Sequence, residues 1–242
     1  MGQVLLSLLF WAFLASTSIL LFPLALLIRA VTAPFDRRRA ALHRFTCFWA
    51  SLYTWFNPAW RVQVEGREKI RRQTSYVMVA NHQSFLDILV LFRLFAHFKW
   101  VSKIENFRIP MIGWNMSLNG YIKLRRGDRA SGREMLDACA RTLAASSSIM
   151  MFPEGTRSTN GRLRDFKVGA FALAQRTKTP ILPIVLQGTG NALPKRGFVL
   201  QGTHRIRIRV LDEIAPDTFA DMPVEKLMEQ VRTRFALELG EV

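Results

Sequence analysis

The sequence predicts an α/β protein, a mixed sheet with flanking helices, preceded by an N-terminal membrane anchor of two helices. Three observations carry this prediction. No charged side chain appears before Arg29. A second uncharged stretch, rich in aromatics, lies between Arg44 and Arg61. From Arg61 onward, short runs of β-formers alternate with helical stretches, the pattern of a sheet with helices on its faces. The expected division is an anchor over residues 1–60 and one α/β domain over residues 61–242, which no repeat, low-complexity tract or long linker interrupts.

Residues 4–28, VLLSLLFWAFLASTSILLFPLALLI, exceed the ~20 residues a helix needs to cross a bilayer. They lack the basic start and short apolar core of a secretory signal. Arg29, Arg37, Arg38 and Arg39 follow, and the positive-inside rule then keeps the next domain on the cytoplasmic face of the (inner) cell membrane. In the second segment Phe45, Phe48, Trp49, Leu52, Tyr53, Phe56 and Trp60 recur at helical spacing, opposite Thr46, Ala50, Ser51, Thr54 and Asn57. Aromatics flanked by arginines suit the headgroup boundary, although a core helix shows the same stripe. Pro23 and the Thr32-Ala33-Pro34 turn leave both a spanning and a looped-back first helix open.

Lys and Arg number 34 against 18 Asp and Glu, a net charge of +16 that favours anionic partners. Membrane phospholipids, phosphorylated metabolites, an acidic carrier protein and nucleic acid all qualify, and the apolar anchor argues against nucleic acid. Cys47 and Cys139 belong to no paired motif, and four histidines without an H-E-x-x-H pattern predict no metal site.

Within the domain, strands are expected at 61–64, 76–80, 99–102, 121–124, 148–152, 181–186 and 205–211, with helices near 85–95, 131–144, 168–175 and 224–239. In the last helix Val224, Leu227, Met228, Val231, Phe235 and Leu239 form a core-facing stripe. Ligands of open α/β sheets gather at the carboxyl ends of strands, here just after Ala80, Leu124, Phe152 and Leu186.

Two of those places carry candidate chemistry. Asn81-His82-Gln83-Ser84-Phe85-Leu86-Asp87 follows the second strand, and Ser84 with Asp87 fits a capping box. Asp87 thus has a purely structural reading, yet it also sits where it can reach the His82 ring. A carboxylate on one ring nitrogen fixes the tautomer and raises the basicity of the other, as a general base requires. After the fifth strand, Met151-Phe152-Pro153-Glu154-Gly155-Thr156-Arg157-Ser158-Thr159 forms a turn. Gly155 lets backbone N–H groups approach a ligand, while Thr156 and Arg157 supply donors suited to phosphate. Lys167 lies near a helix start, a second place for phosphate. No G-x-S-x-G elbow or G-x-x-x-x-G-K-[ST] loop is present, so a histidine base here has to activate a hydroxyl of the substrate itself.

The ordered set of Asn-His-x-x-x-x-Asp, Phe-Pro-Glu-Gly-Thr-Arg-Ser and the apolar N-terminus resembles the glycerolipid acyltransferases, specifically the bacterial 1-acylglycerol-3-phosphate acyltransferases. The resemblance covers nearly the whole chain. It implies that His82 and Asp87 form the catalytic His-x4-Asp motif, and that Glu154, Gly155 and Arg157 bind the glycerol phosphate of the acceptor. It further implies acyl-CoA or acyl-carrier protein as co-substrate, lysophosphatidate as acceptor and no cofactor. Leu182-Pro183-Ile184-Val185 resembles the block tied to the acyl-donor side. One block departs from the family pattern: Gly120-Tyr121-Ile122-Lys123-Leu124-Arg125-Arg126 keeps Arg126 at the phosphate-binding position, but Arg125 replaces an aspartate and Lys123 an aromatic residue.

Overall fold

In the computed structural model, which describes residues 2–194 and 198–241, seven strands form one mixed sheet in the order β1-β7-β6-β2-β5-β3-β4. The strands are β1 (Trp60–Glu65), β2 (Val77–Ala80), β3 (Phe98–Lys103), β4 (Ile122–Leu124), β5 (Ser148–Met151), β6 (Ile181–Gln187) and β7 (His204–Val210). The five strands from β6 to β4 run parallel; β7 lies antiparallel to β6 and carries β1 parallel to itself. The α/β class with a mixed sheet and flanking helices is as the sequence predicted.

Strand composition follows strand position. Central β2 and β5 read Val-Met-Val-Ala and Ser-Ile-Met-Met and are buried throughout, as strands covered on both faces must be. Along β2 the side chains alternate between two cores: Met78 and Ala80 face one, Val77 and Val79 the other. Towards the edge, β7 alternates buried Ile206, Ile208 and Val210 with Arg205, Arg207 and Arg209. Pro183 inside β6 turns its carbonyl to the β7 side, accepting the Leu211 N–H at 3.0 Å just past the end of β7, so the missing N–H falls at the end of the β6–β7 pairing.

Helices cover both faces. One core joins the sheet to α1 (Gly2–Thr32), α2 (Ala40–Trp55) and α3 (Leu86–Leu91); the other joins it to α5 (Arg129–Ala144), α6 (Gly169–Thr177) and α8 (Val224–Leu239). Two further helices, α4 (Ile112–Leu118) and α7 (Thr189–Ala192), were not expected from the sequence. The helix expected over 85–95 is shorter, because α3 tightens into a 3-10 turn at Phe92–Leu94.

The two N-terminal helices pack together and against the body. Buried Ser7, Phe10, Ser18 and Ala25 recur along one face of α1, while Leu5, Leu8, Leu9, Leu20 and Leu27 point outward. In α2 the small polar face turns inward: Thr46, Ser51 and Thr54 are buried, while Phe48, Trp55 and, just beyond the helix, Phe56 are exposed. Hydrogen bonds explain that orientation. Asn115 and Asn119 both donate to Thr46 Oγ1, at 3.1 and 3.0 Å, and Arg93 donates to Thr54 Oγ1 at 3.1 Å.

Candidate active site

The site begins where β2 and β5 end. These strands are neighbours, with Val79 opposite Met151, so the loops leaving their carboxyl ends emerge side by side. Asn81 extends the order of the sheet one residue further. Its Nδ2 donates to the Leu186 carbonyl and its Oδ1 accepts the Leu186 N–H, at 2.9 and 2.7 Å, imitating a backbone pair with β6.

His82 follows, and Asp87 takes hold of it from the first turn of α3. Asp87 Oδ2 lies 2.8 Å from His82 Nδ1 and also accepts the N–H groups of Gln83 and Ser84, at 2.6 and 2.7 Å. A carboxylate in these bonds only accepts, so Nδ1 carries the hydrogen and Nε2 is left as the basic nitrogen. The capping and orienting readings of Asp87 therefore coexist in one oxygen atom. Ser84 caps differently from the simple box: its Oγ accepts the Leu86 N–H at 3.2 Å and donates to the Leu193 carbonyl at 2.6 Å. The imidazole rests on the Phe152 ring, which in turn stacks on Trp100.

A cavity of about 500 Å³ opens at His82. Its wall includes Phe152, Thr156, Arg157 and Arg126 and is otherwise largely apolar, with Leu14, Trp49, Leu89, Phe92, Trp100 and Met116. A pocket of this kind, apolar with a few convergent polar groups, is the usual form of a small-molecule site.

Of the residues singled out in the sequence, His82, Thr156, Arg157 and Arg126 meet in the cavity wall, with Asp87 directly behind His82. Glu154, Gly155 and Lys167 lie in the same connection between β5 and α6 but not in the wall. Gly155 turns the chain at φ +70°, and a Cβ there would come within 2.9 Å of the Lys167 side chain, which covers the turn. Glu154 is buried, its Oε1 accepting the His82 N–H at 2.6 Å and its Oε2 the Arg164 N–H at 3.2 Å. Burial pushes its carboxyl up to about 7 and the Asp87 charge adds to this, while the two N–H groups and the Arg164 charge pull the other way.

Neither departure from the family block enters the wall. Lys123 is exposed over the Phe107 ring, and Arg125 is exposed beside Asp128. Nothing in the sequence signalled that Trp49 and Tyr53 of α2, or Lys103 at the end of β3 and Asn106 beyond it, line the cavity. The α2 pair read as anchor, and nothing near Lys103 resembled a motif.

Fold and site together define a class: an enzyme with a histidine–carboxylate pair at a largely apolar cavity that two arginines also line. The sequence pattern of the Acyltransferase family matches residues 61–187. The chain is 36% identical over 231 residues to a 1-acyl-sn-glycerol-3-phosphate acyltransferase of Chlamydomonas reinhardtii, covering 95% of this chain and 68% of that protein. It is 42% identical over 178 residues to a chloroplastic 1-acyl-sn-glycerol-3-phosphate acyltransferase of Arabidopsis thaliana, covering 72% of this chain but only 49% of that one. The crystal structure of the 1-acyl-sn-glycerophosphate acyltransferase of Thermotoga maritima shares the fold, with a TM-score of 0.80 over 99% of this chain and 95% of that one at 24% identity. The chain belongs to the acyltransferase family, in its 1-acyl-sn-glycerol-3-phosphate acyltransferase branch. These sequence relatives are algal and plant proteins, so they support the branch and not a bacterial subgroup within it.

Proposed function

We propose that this chain moves a fatty acyl group from a thioester, acyl-CoA or acyl-carrier protein, to the sn-2 hydroxyl of lysophosphatidate, giving phosphatidate for phospholipid synthesis. The observation that carries this reading is His82, backed by Asp87, in the wall of a largely apolar cavity that also includes Arg126 and Arg157. His82 takes the hydroxyl proton through Nε2 as the oxygen attacks the thioester carbonyl. The C–S bond breaks, and the imidazolium returns the proton to the leaving thiolate. Such base catalysis is worth ~10²–10⁴-fold. Thr156, Arg157 and Arg126 hold the acceptor phosphate, turning a two-substrate encounter into a positioned attack. Gly155 and Lys167 shape the loop that presents Arg157. Direct transfer fits the site, since no serine or cysteine among the described residues is hydrogen-bonded to the His82 ring. The positions of Lys123 and Arg125 outside the wall support a phosphate-bearing acceptor despite the altered block.

In the same reading residues 1–60 anchor the protein in lipid and residues 61–242 carry the catalytic domain on the cytoplasmic face of the membrane. α1 is long and apolar enough to cross a bilayer, but its buried positions from Ser7 to Ala25 press it against the body. That packing favours a helix embedded along its outward leucines.

The test is free-thiol release from oleoyl-CoA by the full chain in detergent, with and without lysophosphatidate. Release that needs lysophosphatidate, yields phosphatidate and is lost in His82→Ala supports the proposal. Undiminished transfer in His82→Ala sinks the mechanism, and release without an acceptor makes the protein a thioesterase.

A further inference from the structure

Glu154 belongs to the block whose resemblance implies contact with the acceptor phosphate, but its surroundings suit a different task. The side chain is buried and absent from the cavity wall. Both carboxylate oxygens are occupied by backbone donors, His82 N–H on Oε1 and Arg164 N–H on Oε2. An anionic carboxylate is also a poor ligand for an anionic phosphate.

What Glu154 holds is the backbone of His82. Beyond Ala80 the β2 ladder has ended, and the neighbouring chain has turned away at Phe152, so the His82 N–H has no strand carbonyl to bond. The Glu154 carboxylate stands in for that carbonyl. From the same loop, the Ser158 N–H donates to the His82 carbonyl at 2.7 Å, and Phe152 supports the ring. The loop after β5 therefore grips His82 at its N–H, its C=O and its ring face, while Asp87 grips Nδ1.

Building on the acyl-transfer reading above, we infer that Glu154 is a positioning residue for His82 and not a ligand of the acceptor. It fixes the main chain at His82 so that Nε2 is aimed into the cavity. Its grip is strongest as a carboxylate, because a protonated carboxyl exchanges an acceptor for a donor that would face an N–H. Charged and titratable groups around it are Asp87 from α3, the His82 ring, Arg164, and Lys167 over the Gly155 turn.

The experiment is steady-state kinetics of Glu154→Gln in the full chain, with wild type, His82→Ala and Arg157→Ala as references. Positioning predicts kcat lowered by about tenfold or more, as misplacement of a reacting group does. The KM for lysophosphatidate then stays within about twofold of wild type, since no contact to the acceptor is lost. A raised KM with kcat retained, as for Arg157→Ala, would make Glu154 a ligand and overturn the inference. So would unchanged kinetics, or a kcat loss that only tracks a lower melting temperature. If Glu154→Gln does not fold, Glu154→Asp carries the same test, being charged but too short to span both N–H groups. Failure of the acyl-transfer reading shows separately, as a wild type without transfer or a His82→Ala with full transfer.

Discussion

The ring of His82 lies flat on the ring of Phe152, with 3.9 Å between centroids and 9° between planes. Asp87 fixes the edge of the imidazole through Nδ1, and Phe152 fixes its face. Together they leave the ring little freedom to tip away from an incoming hydroxyl. Replacing Phe152 with Leu keeps an apolar contact but removes the flat support. We expect kcat to fall about tenfold, with the melting temperature close to wild type, because misorientation of a reacting group acts on rate more than on stability. Unchanged turnover in Phe152→Leu would show that Asp87 alone suffices to hold the ring.

In the proposed mechanism Asp87 serves rate and stability through one oxygen, and two substitutions separate the roles. An asparagine in its place retains an acceptor for the Gln83 and Ser84 N–H groups but loses the charge that stabilises an imidazolium. Asp87→Asn is expected to lose ~10²–10⁴ in kcat with only a small loss of stability. Asp87→Ala adds the loss of the cap, about 0.5–2 kcal/mol, visible as a lower melting temperature. Equal melting temperatures for the two variants would argue against the capping role.

Arg126 and Arg157 reach the cavity from the loops that follow different strands, β4 and β5. If both hold the acceptor phosphate, Arg157→Ala and Arg126→Ala each raise the KM for lysophosphatidate by about 10–100-fold, the value of one charged hydrogen bond. The KM for the acyl donor should move far less. Equal changes for both substrates in either variant would point to general damage and remove that arginine from the phosphate site.

The sheet and the paired loops were legible in the sequence because their signals are local. The apolar runs Val77–Ala80 and Ser148–Met151 announce central strands, and the chemistry-bearing residues follow them within a few positions. Long-range partnership was not legible. The Asp87 spacing suggested contact with His82, but nothing in the spacing of Phe152 or Glu154 shows that one stacks on His82 and the other holds its N–H. The second helix misled in another way. Its aromatics read as a membrane face, while Trp49 and Tyr53 turn inward to line the cavity. Helical periodicity marks an apolar stripe without saying whether lipid or protein covers it.

The raised carboxyl of Glu154 also makes folding depend on pH. Its ordinary value is 4.5, and burial in the fold moves it to about 7. Below the ordinary value the group is protonated in both states and costs nothing. Between the two values the unfolded chain loses the proton that the folded chain keeps, so stability falls as pH rises, and the full cost is present above about 7. Wild type should therefore lose stability relative to Glu154→Gln from about pH 5 to about pH 8. Melting temperatures of both across that range are the check, and parallel curves would place the Glu154 titration outside this window.

The outward face of α1 can be tested apart from catalysis. Leu8 and Leu20 are 63% and 72% exposed, so a charge at either position disturbs no packing within the protein. In lipid it is different, since an acidic side chain there costs on the order of 2–3 kcal/mol at the hydrocarbon centre. The double variant Leu8→Glu, Leu20→Glu should leave the melting temperature in detergent within a few degrees of wild type while co-sedimentation with vesicles falls sharply. Any residual binding should become salt-sensitive, because the basic residues then supply the remaining attraction at about 1 kcal/mol each. Turnover on a water-soluble, short-chain acceptor should persist, as neither leucine lines the cavity. Undiminished co-sedimentation would move the lipid contact off α1 and onto the exposed aromatics Phe48, Trp55 and Phe56 of α2 and its C-terminal end.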